Sequence, residues 1–242
     1  AKVSVERILE VLNTEPEFAD DNTYQLKEVK KGNVCFKDVS FKYPNTKHRS
    51  LRDINLEIEA GSTTAIIGST GSAKTTLVQL ISRLYDVTSG EILIDNQPID
   101  LYDPIALRDQ VAMVLQENTL FSGTIRSNMQ WGKEDATDEE IITALKISQA
   151  ADFVLNRPEG LDSKVERGGA NFSGGQKQRL CIARTLLKNP KIIIFDDSTS
   201  AVDMQTEANI REGLNKYNPS LTKIIIAQRI SSIQHANRII VL

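Results

Sequence analysis

Thr63-Thr64-Ala65-Ile66-Ile67-Gly68-Ser69-Thr70-Gly71-Ser72-Ala73-Lys74-Thr75 is the stretch that decides the fold. Thr63 to Ile67 form a short, largely β-branched run suited to a buried strand, and Leu77, Leu80, Ile81 and Leu84 recur at helical spacing. Strand, glycine-rich turn and helix therefore follow one another directly. Gly68 to Thr75 matches the P-loop pattern at every defined position except one, where Ala73 stands in place of glycine. In this context the loop amides wrap a triphosphate at a helix N-terminus, Lys74 reaches the outer phosphates and the Thr75 hydroxyl ligates Mg²⁺. If position 73 needs a positive φ, alanine costs on the order of 1 kcal/mol; if it is already helical, the cost is negligible. ATP binding is expected to survive either way.

Ile192 to Phe195 and Ile224 to Ala227 are apolar runs ending in polar residues, as expected of central parallel strands with chemistry at their C-terminal ends. Asp196 follows the first of them and fits the acid that holds Mg²⁺ through water, and Asp197 occupies the place of a general base. Gln116 ends a strand read over Val111 to Leu115 and can bring an amide oxygen to the same ion or to the attacking water. Tyr43, before Pro44 in a turn, offers a ring to adenine. Alternation in Val34 to Phe41 and in Ile54 to Ile58 suits antiparallel strands with one covered face, so folded structure is read from near residue 31.

Ser173-Gly174-Gly175-Gln176 is the second informative phrase. Ser173 and Gln176 have capping-box spacing, and Leu180, Ile182, Ala183, Leu186 and Leu187 give the helix behind them a buried side. Its free amides and two glycines make an anion cradle. Helical spacing over Asp138 to Val154 extends this region into a largely helical insert from about 117 to 188.

Composition narrows the partners. With 242 residues, 40% of them hydrophobic and 25% charged, the chain can bury a large core. A net charge of −3 without a long basic tract argues against nucleic acid. Cys35 and Cys181 are far apart and are expected to be reduced, ordinary residues, and His48 and His235 have no partner at metal-ligand spacing. No apolar run approaches the about 20 residues of a membrane span, so the chain as given is expected to be soluble. Ala1 to Leu12 reads as a helix cut from something larger, without a signal-peptide pattern.

Taken together and in this order, these residues resemble the nucleotide-binding domain of ATP-binding cassette (ABC) transporters over almost the whole chain. The resemblance makes Tyr43 the adenine-stacking aromatic, Gly68 to Thr75 with Thr76 the Walker A segment, Gln116 the Q-loop, Ser173 to Gln176 the signature, and Ile192 to Asp196 Walker B. Ser200 to Asp203 look like the D-loop, and Gln228 occupies the switch position. It implies an α/β P-loop NTPase (RecA-like) core, with an antiparallel β subdomain, over 31–116 and 189–242. A helical signature subdomain spans 117–188, and 1–30 is a linker from a transmembrane domain. Phe121, Ser122, Gly123, Thr124, Ile125 and Asn128 resemble exporter-type domains, at the cytoplasmic face of the membrane. The exporter loop before the signature is imperfect, because Val165-Glu166-Arg167-Gly168 places its acid one position early. The family's domain normally continues past the position of Leu242, so truncation there is expected.

Three departures give the resemblance a direction. Where the family has a glutamate base, Asp197 is one methylene shorter, and misplacement by ~1 Å can cost about a hundredfold. Gln228 replaces the switch histidine and cannot become charged, and Ala73 lies nearby in the loop. The signature keeps Ser-Gly-Gly-Gln and changes only the preceding residue, to Phe172. Such domains dimerise head to tail, each site pairing one chain's Walker motifs with the other's signature. The chain thus resembles the degenerate half of a heterodimeric exporter, holding ATP and Mg²⁺ itself and completing a competent site on a partner domain. A non-hydrolysing dimerisation module and a homodimeric exporter with two slow sites remain open.

Overall fold

The computed structural model describes residues 2–14, 24–44, 46–197, 201–227 and 230–242. Helix α1 (Lys2–Leu12) comes first, then strands β1 (Val34–Phe41), β2 (Leu51–Ile58) and β3 (Thr63–Ile67), the last leading into α2 (Lys74–Ile81). Next are β4 (Ser89–Ile94), β5 (Gln97–Pro98), α3 (Pro104–Gln110) and β6 (Val111–Val114). The short strands β7 (Gly123–Thr124) and β8 (Lys164–Val165) bracket α4 (Ile125–Gln130), α5 (Asp138–Ile147) and α6 (Ala151–Leu155), and α7 (Gly174–Leu187) follows them. Last come β9 (Ile192–Asp196), α8 (Met204–Tyr217), β10 (Thr222–Ile226), α9 (Ile230–Ile233) and β11 (Arg238–Val241).

Among the described residues two larger sheets, beside the two-stranded β7-β8 pair, organise the chain into the expected mixed α/β architecture. One is parallel throughout, in the order β11-β3-β10-β9-β6, and the other is antiparallel, in the order β2-β1-β4-β5. The interior strands β3, β10 and β9 are buried on both faces, which explains their uninterrupted apolar runs, whereas the edge strand β11 is largely exposed. Along β9, Ile192 and Ile194 pack with Phe36, Ile58 and Ile92 of the antiparallel layer, whereas Ile193 and Phe195 pack with Ile182 and Leu186 of α7. The P-loop strand β3 is interior to this sheet, flanked by β10 and β11, so the loop leaves from the middle of its C-terminal edge.

The segment leading into β1 is fastened to the antiparallel layer. Gln25 and Leu26 donate to the Leu101 carbonyl, both at 3.0 Å, and Val29 is fully buried. The Asp95 carboxylate, in the turn between β4 and β5, accepts from four successive amides, those of Lys30 (2.6 Å), Lys31 (2.9 Å), Gly32 (2.8 Å) and Asn33 (3.2 Å).

Several local expectations need adjustment. The helix after the P-loop stops at Ile81 because Arg83 takes a positive φ of 47°, and Leu84, expected on its buried face, is 40% exposed. The run from Asp138 to Val154 is two helices, broken where Gln149 adopts φ 60°. Leu115 lies beyond β6 and is exposed, and β2 begins at Leu51, three residues before the alternation is legible. Val5, Ile8, Leu9, Val11 and Leu12 of α1 are exposed. No helix among the described residues is long and apolar enough to cross a membrane.

Candidate phosphate-binding site

The loop from Gly68 to Ala73 turns tightly over the N-terminus of α2. A Cβ on Gly68 would come within 2.5 Å of Ser72 Oγ and 2.6 Å of the Leu242 carbonyl, so only glycine fits there. Gly71 takes φ +84°, a conformation open to glycine without cost. Ala73 takes φ 64° and ψ 25°, in the left-handed region, and caps α2 without a side-chain bond. The alternative left by the sequence therefore resolves to the strained case, at a cost of about 1–2 kcal/mol.

Lys74 folds back over the loop. Its Nζ donates to the carbonyls of Gly68 (2.9 Å) and Ser69 (2.8 Å) and more weakly to Ser72 Oγ (3.4 Å). The ammonium is thus held by the loop's own carbonyls. Thr75 Oγ1 donates to Asp196 Oδ1 at 3.2 Å, joining the start of α2 to the end of β9. Gly68, Lys74, Thr75, Gln116, Asp196 and Asp197 line one cleft of about 440 Å³, together with Ser69, Thr70 and Gly71 of the loop. Hydroxyl, carboxylate and amide oxygens suit a hard cation such as Mg²⁺.

Asp196 is only 6% exposed, and its carboxyl is pushed above the usual carboxylate range, chiefly by burial and then by neighbouring Asp197. The Thr75 hydrogen bond and Lys74 work in the opposite direction. A divalent cation would favour the ionised form of this buried acid and oppose that shift. Asp197 has φ 48°, and its amide donates to the Ile226 carbonyl at 3.0 Å, tying Asp197 to the end of β10. Gln228 and Ser200 lie outside the described residues.

On the other side of the loop a second cleft, of about 410 Å³, shares Gly71, Lys74 and Thr75 with the first and adds Arg49, Ser50, Ala73 and Thr76. Tyr43 reaches this side through its hydroxyl, which lies 3.0 Å from Thr76 Oγ1 and donates to Gln79 Oε1 at 3.2 Å. Phe41 and Tyr85 hold its ring edge-on, with centroids 4.8 and 5.2 Å away. Sequence reading singled out Tyr43 but missed Arg49 and Ser50. Only the β1–β2 pairing, closed by Ser50 N donating to the Phe41 carbonyl at 2.8 Å, brings them to the loop.

The glycine-rich phrase at Ser173 lines neither cleft. Ser173 caps α7 in a complete capping box: Gln176 N donates to Ser173 Oγ, and Ser173 N to Gln176 Oε1. Gly175 has a further, internal reason to be glycine, since a Cβ would approach the Ala201 carbonyl to 2.9 Å. Gly174 is exposed and open. Behind the cap, Arg179 donates to the carbonyls of Gly175 (3.2 Å) and Gln149 (2.8 Å), and Arg157 lies 4.4 Å over the Phe172 ring. Asp203 caps α8, accepting from Thr206 N (2.9 Å) and Thr206 Oγ1 (2.6 Å), and these bonds hold its carboxyl below the usual range.

The loop after Gln116 is organised by a buried amide. Asn128 accepts from Phe121 N (2.8 Å) and donates to the carbonyls of Phe121 (2.8 Å) and Thr124 (2.9 Å). Phe121 then stacks on Trp131 at 4.7 Å, and both rings are exposed.

Comparison with known proteins places these features in context. A family model described as "ABC transporter" matches residues 51–200. A Staphylococcus aureus (strain NCTC 8325 / PS 47) protein named "Putative multidrug export ATP-binding/permease protein" is 46% identical over 215 residues, 89% of this chain and 37% of its own length. A protein of the same name, YgaD of Bacillus subtilis (strain 168), is 44% identical over 239 residues, 99% of this chain and 41% of its own. Among solved structures, a bacterial Atm1-family ABC exporter with ATP bound superposes with a TM-score of 0.93 at 37% identity, covering 99% of this chain and 42% of that one. The chain thus spans about two fifths of the length of these relatives.

Proposed function

The chain belongs to the ABC transporter family, and from that premise we propose that it is the ATP-binding and ATP-hydrolysing part of an exporter, working head to tail with a second such domain. The observation that carries this reading is the single cleft in which the loop amides, Lys74, Thr75, Gln116, Asp196 and Asp197 converge. Residues 31–116 and 189–242 then form the ATP-binding core, 117–188 the signature subdomain and 1–30 the link to a transmembrane domain at the cytoplasmic membrane face.

In this reading the amides of Gly68 to Thr76 bind the triphosphate, Lys74 leaves its loop carbonyls for the outer phosphates, and Tyr43 meets the adenine. Thr75, Asp196 and Gln116 would hold Mg²⁺, which neutralises charge developing on the phosphate oxygens when bound. The Asp197 carboxylate accepts a proton from the attacking water. The signature of one chain faces the ATP of the other, a view supported by Ser173 to Gln176 lining neither cleft of their own chain.

We further propose that this chain's own site hydrolyses ATP slowly and that its signature serves a competent partner site. Two observations support this: alanine held at φ 64° in the phosphate loop, and a base shortened to aspartate at Asp197. Gln228 is the third expected contributor. The test is MgATP binding and turnover by the isolated chain, alone and mixed with a domain that carries glutamate after its Walker B acid. Tight binding, slow turnover and a rate increase on mixing are expected. Vigorous turnover by the isolated chain would overturn the slow-site reading, and no ATP binding would overturn the whole.

A further inference from the structure

We propose that Arg49 is a nucleotide-binding residue that contacts the phosphate chain at its ribose end, from the side of the loop away from Asp196. The proposal rests on the reading that the P-loop binds ATP. The two clefts flanking the loop share Gly71, Lys74 and Thr75, so one extended ligand lying over the loop enters both. The acids and Gln116 all lie in the first, which fixes the terminal phosphate there. The ribose end then falls in the second.

That second cleft contains no carboxylate among its lining residues and has two cationic ones, Arg49 and Lys74. Lys74 is drawn towards the first cleft by the carbonyls of Gly68 and Ser69, leaving Arg49 as the cation of the second. Among the described residues Arg49 makes a single long side-chain bond, from Nη1 to Ser40 Oγ at 3.5 Å. Its other guanidinium donors are therefore available to a ligand. The backbone beside it is fixed, because Ser50 closes the β1–β2 pairing. A planar fork beside a strand pairing, lining one cleft with the start of α2, matches phosphate oxygens better than a base edge or a sugar.

Calorimetric titration with ATP, ADP, AMP and adenosine tests this, on the whole chain and on its Arg49→Ala, Arg49→Lys and Lys74→Ala variants. Arg49→Ala is expected to weaken ATP, ADP and AMP by roughly tenfold, to leave adenosine unchanged and to flatten the salt dependence. Arg49→Lys should recover part of the loss. Affinities of Arg49→Ala for ATP, ADP and AMP equal to those of the unaltered chain overturn the proposal, as does a loss that extends equally to adenosine. The Lys74→Ala arm reports on the parent reading: if that variant binds ATP like the unaltered chain, the P-loop assignment itself fails, whatever Arg49 does.

Discussion

Ala73 and Asp197 share a backbone peculiarity with different chemical meanings. Both lie in the left-handed region, at φ 64° and 48°. Aspartate tolerates that region comparatively well, because its short side chain bonds locally, whereas alanine gains nothing from it. Ala73→Gly should therefore raise stability by about 0.5–1 kcal/mol, the relief of strain outweighing the added freedom of the unfolded chain, as read from a urea midpoint. An unchanged or lowered midpoint would mean that the loop does not carry this strain. Asp197→Glu should raise turnover of the chain's own site by about tenfold or more, since one methylene restores the reach a base needs. At this scale the phosphate loop and Asp196 were legible because their chemistry is contiguous in sequence. Arg49 was not, since the loop residues that share its cleft, Gly71 to Thr76, lie more than 20 residues away and strand pairing brings them together.

Among the elements, α7 has the plainest sequence signal and the plainest structural result. Ser173→Ala removes the Oγ that accepts from Gln176 N and should cost about 1 kcal/mol by thermal or urea unfolding, apart from any effect on turnover in a mixture. Elsewhere in the helical layer Arg126 joins three elements, donating to Asp162 in the loop before β8 and to Asp138 at the start of α5. The Arg126 hydrogen bond holds the Asp162 carboxyl below its ordinary value of 3.8. Its contribution to stability is present above that value and is lost as pH falls through the lower native one. Asp162→Asn should therefore be less stable than the parent at neutral pH and converge with it on acidification below about pH 4. A constant difference across that range would show that the ion pair does not contribute. The break at Gln149 was not legible in the same region, because apolar spacing continues across it while a single residue in the left-handed conformation redirects the chain.

On the scale of the whole molecule, the parallel sheet follows from its sequence, whereas the order of its strands does not. Unbroken β-branched runs announced burial on both faces, yet Arg238–Val241 passed unread, since its mixture of one charge and three aliphatics gives no alternation. The same holds for α8, whose inner residues Ile210 and Leu214 are too few to stand out. Partner dependence belongs to this scale as well. Ser173 to Gln176 line neither cleft beside the P-loop, so on the proposed reading mixing with a domain that has a glutamate base should raise turnover, and Ser173→Ala in this chain should abolish most of that rise. A rise untouched by Ser173→Ala would mean that the signature takes no part in the partner's chemistry.

The Asp95 carboxylate, gripping four consecutive amides from Lys30 to Asn33, has a mechanical consequence. Tension along the incoming segment is shared by several bonds loaded side by side, and β1, the next stretch of chain, is itself held between β2 and β4. A tug from that side is therefore borne first by the antiparallel sheet, ahead of the loop between β3 and α2.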